Sequence, residues 1–387
     1  MLSRHVTDSL ALIRTPFYFY DMELLDATLR SAMREAGRYG YRVHYAVKAN
    51  FDPRILDRVR LAGLGADCVS GNEVRAAAEA GFDPRSIVYA GVGKSDAEIE
   101  YALATGIGCF NCESSQELEV IDRIAGRMGR RADVALRINP DVDPMTHRHI
   151  STGHADSKFG ISYLEIEQVA DRLHTMKNLN VIGLHFHIGS QITQMRVFEY
   201  LCHRVNSLVE WFTARGFRLS MVNLGGGLGI DYLRPEEEPV PGFETYFALF
   251  EHNLALGEGM EVHFELGRSL VGQCGELIAR VLYNKTNAAG RQVAVIDASM
   301  SELIRPALYG AHHAIENLSN RNPGDQGVFT VVGTACESSD VFLREVTVNT
   351  LRRGDLVTLK SAGAYGASMA SRYNLHALPA AVYSDDL

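Results

Sequence analysis

The chain has 387 residues, of which 46% are hydrophobic and 22% charged, and a net charge of -9. This composition excludes a disordered or fibrous protein, and the acidic balance argues against nucleic acid or an anionic membrane surface as partners. The length exceeds one ordinary core but suits a large barrel of about 250 residues beside a smaller second domain.

Met1 to Leu12 has no basic segment leading into an apolar stretch, and no window reaches about 18 apolar residues. Neither a secretory leader nor a membrane span is expected, and a cytoplasmic location follows. The N-terminal piece ending in Phe17-Tyr18-Phe19-Tyr20 precedes the first repeat and is expected to pair with a later sheet. From Tyr41 onward short β-rich apolar runs alternate with longer runs of helical period, the pattern of repeated β-α units. The strands are Val43 to Val47, Ala66 to Val69, Ile87 to Ala90, Gly108 to Asn111, Val134 to Ile138, Val181 to His187, Met221 to Leu224 and Val262 to Leu266. Eight strands close a barrel. Between the fourth and fifth, Glu113 to Met128 carries Leu118, Ile121, Ile124 and Ala125 at helical spacing, with Ser114 or Ser115 as its cap.

After Leu266 the pattern changes. Leu277 to Leu282, Gln292 to Ile296, Val328 to Val332, Phe342 to Val348 and Leu356 to Leu359 read as strands without long helices between them. The expected architecture is an α/β chain: a TIM-like (β/α)8 barrel over 20–270 and a β-rich domain from 1–19 and 271–387. The six cysteines, Cys68, Cys109, Cys112, Cys202, Cys274 and Cys336, are too dispersed for a disulfide framework and are read as reduced. Cys109 and Cys112 form a CxxC, but no second pair follows to complete a metal knuckle.

In such barrels the reacting groups lie at the C-terminal strand ends. Here those ends carry Lys48 and Asn50, Arg137 and Asn139, His185 and His187, Gly225-Gly226-Gly227, and Glu265 and Arg268. Lys48 follows a strand expected to be buried on both faces, a setting that disfavours an ammonium and frees the amine to attack an aldehyde. A snorkelling or salt-bridged lysine is the plain alternative. The glycine run can bring backbone N–H groups close to a phosphate or can simply form a turn. It opens no Rossmann unit. His185 and His187, two apart, could bind a metal on one strand face, but the other strand ends lack the further His and Asp ligands; no metal is expected. Glu265 is either the partner of Arg268 or a carboxylate that keeps a pyridine nitrogen protonated.

These blocks together resemble the fold-type III pyridoxal-phosphate decarboxylases. The resemblance runs through Tyr45-Ala46-Val47-Lys48-Ala49-Asn50, Ser157-Lys158-Phe159-Gly160-Ile161, His185-Phe186-His187-Ile188-Gly189-Ser190-Gln191 and Gly225-Gly226-Gly227. It continues through Glu265-Leu266-Gly267-Arg268, Arg305-Pro306-Ala307-Leu308-Tyr309, Cys336-Glu337-Ser338-Ser339-Asp340 and Gly363-Ala364-Tyr365-Gly366. Leu266 and Ser339 stand where the family usually has proline and glycine. The resemblance implies pyridoxal phosphate as cofactor. By the same carry-over Lys48 forms the Schiff base, His187 stacks on the ring and Glu265 pairs with the ring nitrogen. Ser190, Gly226, Gly227, Gly267, Arg268 and Tyr365 would surround the phosphate. Cys336 would be the proton donor, and Arg268, Arg305, Tyr309, Glu337 and Tyr365 would hold the substrate.

A homodimer is implied too, with the Cys336-Glu337 segment reaching into the partner's barrel. Arginines for a carboxylate and an acid for an ammonium suit a substrate whose far end is itself an amino acid. The reaction implied is decarboxylation of meso-2,6-diaminopimelate to L-lysine. Decarboxylation of another basic amino acid or a carboxylated polyamine, and a non-catalytic regulator on the same fold, are the alternatives. An amino-acid racemase would set an arginine rather than Glu265 against the ring nitrogen. The polar, His-rich stretch 143–158 is the expected mobile loop.

Overall fold

The computed structural model describes residues 3–140 and 158–387. The expected mobile loop, apart from Lys158, lies outside the described residues. Two compact units share the chain: 29–229 with 242–267, and 1–28 with 230–241 and 268–387. The first strand, β1 (Phe17–Tyr20), belongs to the second of these.

The larger unit is a closed parallel barrel of eight strands. They are β2 (Arg42–Ala46), β3 (Gly65–Cys68), β4 (Ile87–Tyr89), β5 (Cys109–Cys112), β6 (Ala132–Arg137), β7 (Leu179–His185), β8 (Met221–Asn223) and β9 (Glu261–Leu266). Closure is made by β2, which pairs with β3 on one side and β9 on the other. The register sets His44 beside Glu265 and Ala46 beside Asp67, so the inward side chains of neighbouring strands form layers. The helices are started by local chemistry. Ser114 accepts the N–H of Glu117 ahead of the helix Ser115–Arg127, whose Leu118, Ile121, Ile124 and Ala125 are buried. Ser95 and Glu98 form a reciprocal capping box at Asp96–Thr105, and Gly106 ends that helix at φ 77°.

The barrel interior is not wholly apolar. His44, Asp67, Asn111, Arg137, His185, Asn223, His263 and Glu265 are all buried. Such groups persist only where each finds a hydrogen-bond partner, and those partners build the site.

The second unit is a mostly antiparallel sheet. Its strands are β10 (Gly275–Thr286), β11 (Gln292–Ile296), β12 (Ile315–Asn317), β13 (Gln326–Val332), β14 (Val341–Asn349), β15 (Leu356–Leu359) and β16 (Ala380–Tyr383). They run in the order β12-β15-β10-β11-β13-β14, and β1 pairs antiparallel with β10 and parallel with β16. The Phe17–Tyr20 piece thus joins the later sheet, as expected, and all four residues are buried. Phe17 and Phe19 pack with Leu10, Ile278, Leu318 and Leu356. Among the described residues, no helix is long and apolar enough to cross a membrane.

Candidate active site

Strand β2 stops at Ala46, and Val47–Ala49 forms a single 3₁₀ turn that carries Lys48 out of the strand. The Lys48 side chain is 37% exposed, and its Nζ donates to Asp67 Oδ2 at 3.2 Å. This corrects the sequence expectation. The amine sits beside a carboxylate, which favours the ammonium, instead of in apolar surroundings that would disfavour it. Asp67 itself is buried, and its carboxyl is pushed up to about 6. Burial is the main cause and the charge of Glu265 adds to it, while Lys48 opposes both. Asp67 Oδ1 is buried with no hydrogen-bond partner.

Glu265 is the penultimate residue of the last barrel strand and is buried. Asn111 Nδ2 and Asn223 Nδ2 donate to its Oε1 at 2.8 and 2.7 Å, and His185 Nε2 meets Oε2 at 2.8 Å. Burial alone would raise its carboxyl, but His185, Lys48 and His187 together hold it well below the usual carboxylate range. The alternative partnership of Glu265 with Arg268 is not among these bonds. Strand β7 ends at His185, so the two histidines do not share a strand face as their spacing suggested. His185 is spent on Glu265. His187 sits beyond the strand, and its Nδ1 accepts the N–H of Gly226 at 3.3 Å. Burial, with Arg137 and Lys48 nearby, keeps the His187 ring neutral.

The glycine run follows β8 directly. A Cβ on Gly226 would come within 2.0 Å of the Glu265 carbonyl oxygen; one on Gly227, at φ +114°, within 2.6 Å of the Gly189 carbonyl oxygen. Only glycine allows so close an approach of backbone to backbone. Ser190 is half-buried in the loop after His187, and Gly267 is buried just past β9. At the mouth of the barrel, Arg137 pairs with Glu113 at 2.6 Å, and the other Glu113 oxygen accepts the N–H of Gly160 at 2.8 Å.

The second unit holds a separate basic cluster. Arg268 begins a short helix, Arg268–Val271; its Nη1 donates to the Tyr232 hydroxyl at 2.6 Å and its guanidinium lies 4.9 Å from the Tyr365 ring centroid. Tyr365 takes the left-handed conformation, φ 57°, unusual for a bulky residue. Arg305 opens the helix Arg305–Tyr309, which brings Tyr309 to its end. Arg305 Nη1 donates to His313 Nε2 at 2.9 Å, and His313 Nδ1 is 2.8 Å from the Lys360 carbonyl oxygen. A carbonyl only accepts, so His313 carries its proton on Nδ1 and is neutral. Burial, then Arg305, pushes its pKa down to about 3. Arg305 Nε is buried with no partner. Cys336 and Glu337 are exposed. Their loop is anchored by buried Asp340, which accepts the N–H groups of Met300 and Ala335, each at 2.7 Å.

The sequence reading missed Asp67 and Asn223, and it named Asn111 only as the end of the fourth barrel strand. A signal existed: each is the one strongly polar residue in a short, wholly buried strand, Gly-Ala-Asp-Cys, Met-Val-Asn and Cys-Phe-Asn-Cys.

These residues fit pyridoxal phosphate. Glu265 is a buried carboxylate held below the usual range, and a protonated ring nitrogen would give it a cationic partner. The glycine turn provides a close backbone approach for a phosphate, and a flat neutral imidazole lies beside it.

Residues 25–272 match the family described as pyridoxal-dependent decarboxylase, pyridoxal binding domain. The chain is 50% identical over 381 residues to a diaminopimelate decarboxylase of Bacteroides thetaiotaomicron, covering 98% of each chain. It is 40% identical over 371 residues to that of Zymomonas mobilis, covering 95% of this chain and 87% of the other. Among solved structures, diaminopimelate decarboxylase from Helicobacter pylori complexed with L-lysine superposes with a TM-score of 0.90 at 35% identity, covering 99% of this chain and 94% of that one.

Proposed function

The chain belongs to the pyridoxal-dependent decarboxylases, and from that membership we infer its reaction. It is a pyridoxal-phosphate-dependent amino-acid decarboxylase that converts meso-2,6-diaminopimelate to L-lysine and carbon dioxide. The observation that carries this reading is identity of 50% over nearly the whole of both chains. Buried Arg305, whose Nε has no partner, supports it as a cation left for a substrate carboxylate.

Pyridoxal phosphate, when bound, supplies a ring that accepts the electron pair released as carbon dioxide leaves. The remaining work belongs to the protein. Lys48 is the attachment residue, and Asp67 at 3.2 Å holds or takes the proton of its Nζ. Glu265, kept ionised, would pair with the ring nitrogen and favour its protonated form. His187, neutral, would lie against the ring. The N–H groups around Ser190, Gly226, Gly227 and Gly267, with Arg268 and Tyr365, would hold the phosphate. Arg268, Arg305, Tyr309, Glu337 and Tyr365 orient the substrate, Arg305 through a carboxylate and Glu337 through an ammonium. Cys336 returns a proton to the carbon that lost the carboxylate.

The assembly that goes with this chemistry is a homodimer in which each subunit lends its Cys336-Glu337 segment to the other's barrel; the exposure of both residues fits that role. A cytoplasmic location belongs to the same reading. Incubating the holoenzyme with meso-diaminopimelate, ornithine, lysine and arginine in competition tests the substrate. L-lysine and carbon dioxide in equal amounts are expected, and putrescine, cadaverine or agmatine as main product would overturn the assignment.

A further inference from the structure

Glu265 collects side chains from three other strands, and two of the three donors are neutral amides. The two asparagines occupy Oε1 and His185 occupies Oε2. A carboxylate offers about four lone-pair positions, so three donors leave one open. His185 Nδ1 is buried without a partner. The two amides, being neutral, favour the ionised carboxylate without cancelling its charge.

Asn223 makes a second contact that Asn111 does not share. Its Oδ1 accepts the N–H of Gly225 at 2.9 Å, while the N–H of Glu265 donates to the Gly225 carbonyl at 2.7 Å. The backbone donor settles which way the amide points: oxygen to the glycine turn, nitrogen to the carboxylate. One side chain therefore ties the turn assigned to the phosphate to the carboxylate assigned to the ring nitrogen. Those are opposite ends of one rigid molecule. Their spacing must be right to within a few tenths of an ångström for both to bind at once.

We infer that Asn111 and Asn223 are positioning residues that hold Glu265 ionised and aimed, and that Asn223 also sets the distance between Glu265 and the glycine turn. This rests on the ring-nitrogen role proposed for Glu265. Neither asparagine touches a reacting atom. A merely structural role, filling the barrel interior, predicts a loss of folding without any change in how the ring nitrogen is recognised.

The test strips the full-length protein of cofactor and measures dissociation constants for pyridoxal phosphate and for its analogue with carbon in place of the ring nitrogen. The wild type should prefer pyridoxal phosphate by about tenfold or more, the worth of a hydrogen bond to a charged group. Asn111→Leu and Asn223→Asp should each bring that ratio close to one. In Asn223→Asp the introduced carboxyl donates when protonated, as the amide did, so the preference should return as pH falls; Asn111→Leu should stay flat. If one variant fails to fold, the other carries the same measurement. Variants that fold and keep the wild-type ratio overturn this inference and leave the proposed reaction standing. A wild type that binds both compounds equally overturns the role of Glu265 and this inference with it.

Discussion

In the barrel unit, Asp67 and Glu265 are buried carboxylates; in the β-rich unit, Arg268 and Arg305 are buried guanidiniums. Glu265 is held by two amides and the His185 imidazole, and Arg305 by a neutral imidazole that leans on a backbone carbonyl. In both places neutral side chains, the amides at Glu265 and His313 at Arg305, satisfy geometry without cancelling the charge. A protein stabilising itself would cancel these charges locally or replace them with apolar side chains, which is often no less stable. Buried charge kept at Glu265 and Arg305 is what the proposed recognition asks for: an acid for a ring nitrogen, a base for a carboxylate.

The sharpest break in this comparison is at Lys48, whose half-buried amine, paired with Asp67, is the proposed attachment point of the cofactor. Lys48→Ala should lower turnover by about three orders of magnitude while leaving the fold intact, measured as carbon dioxide release beside thermal melting. Removing the acid without its shape comes next. Glu265→Gln keeps the volume but loses the charge, and turnover should fall about a hundredfold. If activity is retained, the barrel carboxylate has no electrostatic task.

On the basic side, Arg305→Met should raise the KM for meso-diaminopimelate by about ten- to a hundredfold, with a smaller effect on kcat, because a charge-assisted bond is lost mainly from binding. An equal fall in kcat at unchanged KM would place Arg305 in the chemistry instead.

Asp67 gives a pH test of the cofactor-free fold. Its carboxyl is raised in the folded state from 3.8 to about 6, so the folded protein binds the extra proton between those values. Its contribution to stability is then fully present below about pH 4 and lost as pH rises through about 6. Asp67→Asn should remove that slope and stabilise the cofactor-free protein near pH 7 by about 3 kcal/mol. Glu265, shifted downward, contributes with opposite sign, its share being lost only in stronger acid. The smallest effect lies away from both charge clusters. Ser114→Ala, which removes a helix cap, should cost about 1 kcal/mol and leave turnover unchanged.

Much of the scaffold was legible because its rules are local. The eight barrel runs stood out as short apolar stretches between amphipathic helices, and Ser114 was already a cap candidate. What was missed depended on pairing between distant residues. Ile315–Asn317 has only three residues, and Ala380–Tyr383 lacks alternation; each is a strand only because a neighbour in the sheet makes it one. The setting of Lys48 was misjudged for a similar reason. Strand propensity suggested an apolar surround, but Asp67 on the adjacent strand is brought to it by register, and register is not written in either strand alone. The identities of Lys48, His187 and Glu265 came from the family's ordered blocks. The amides that hold Glu265 emerged only with the closed barrel, because Asn111, Asn223 and Glu265 lie on three different strands.

The central claim is that Lys48 holds the cofactor, and one measurement reaches it directly. The holoenzyme is reduced with borohydride, digested, and mapped by mass spectrometry for the pyridoxyl group. Modification confined to the peptide containing Lys48, in an amount matching bound cofactor, is the predicted result. Label on buried Lys94 or another lysine, or an unmodified Lys48 in a protein that still releases carbon dioxide from its substrate, would contradict it.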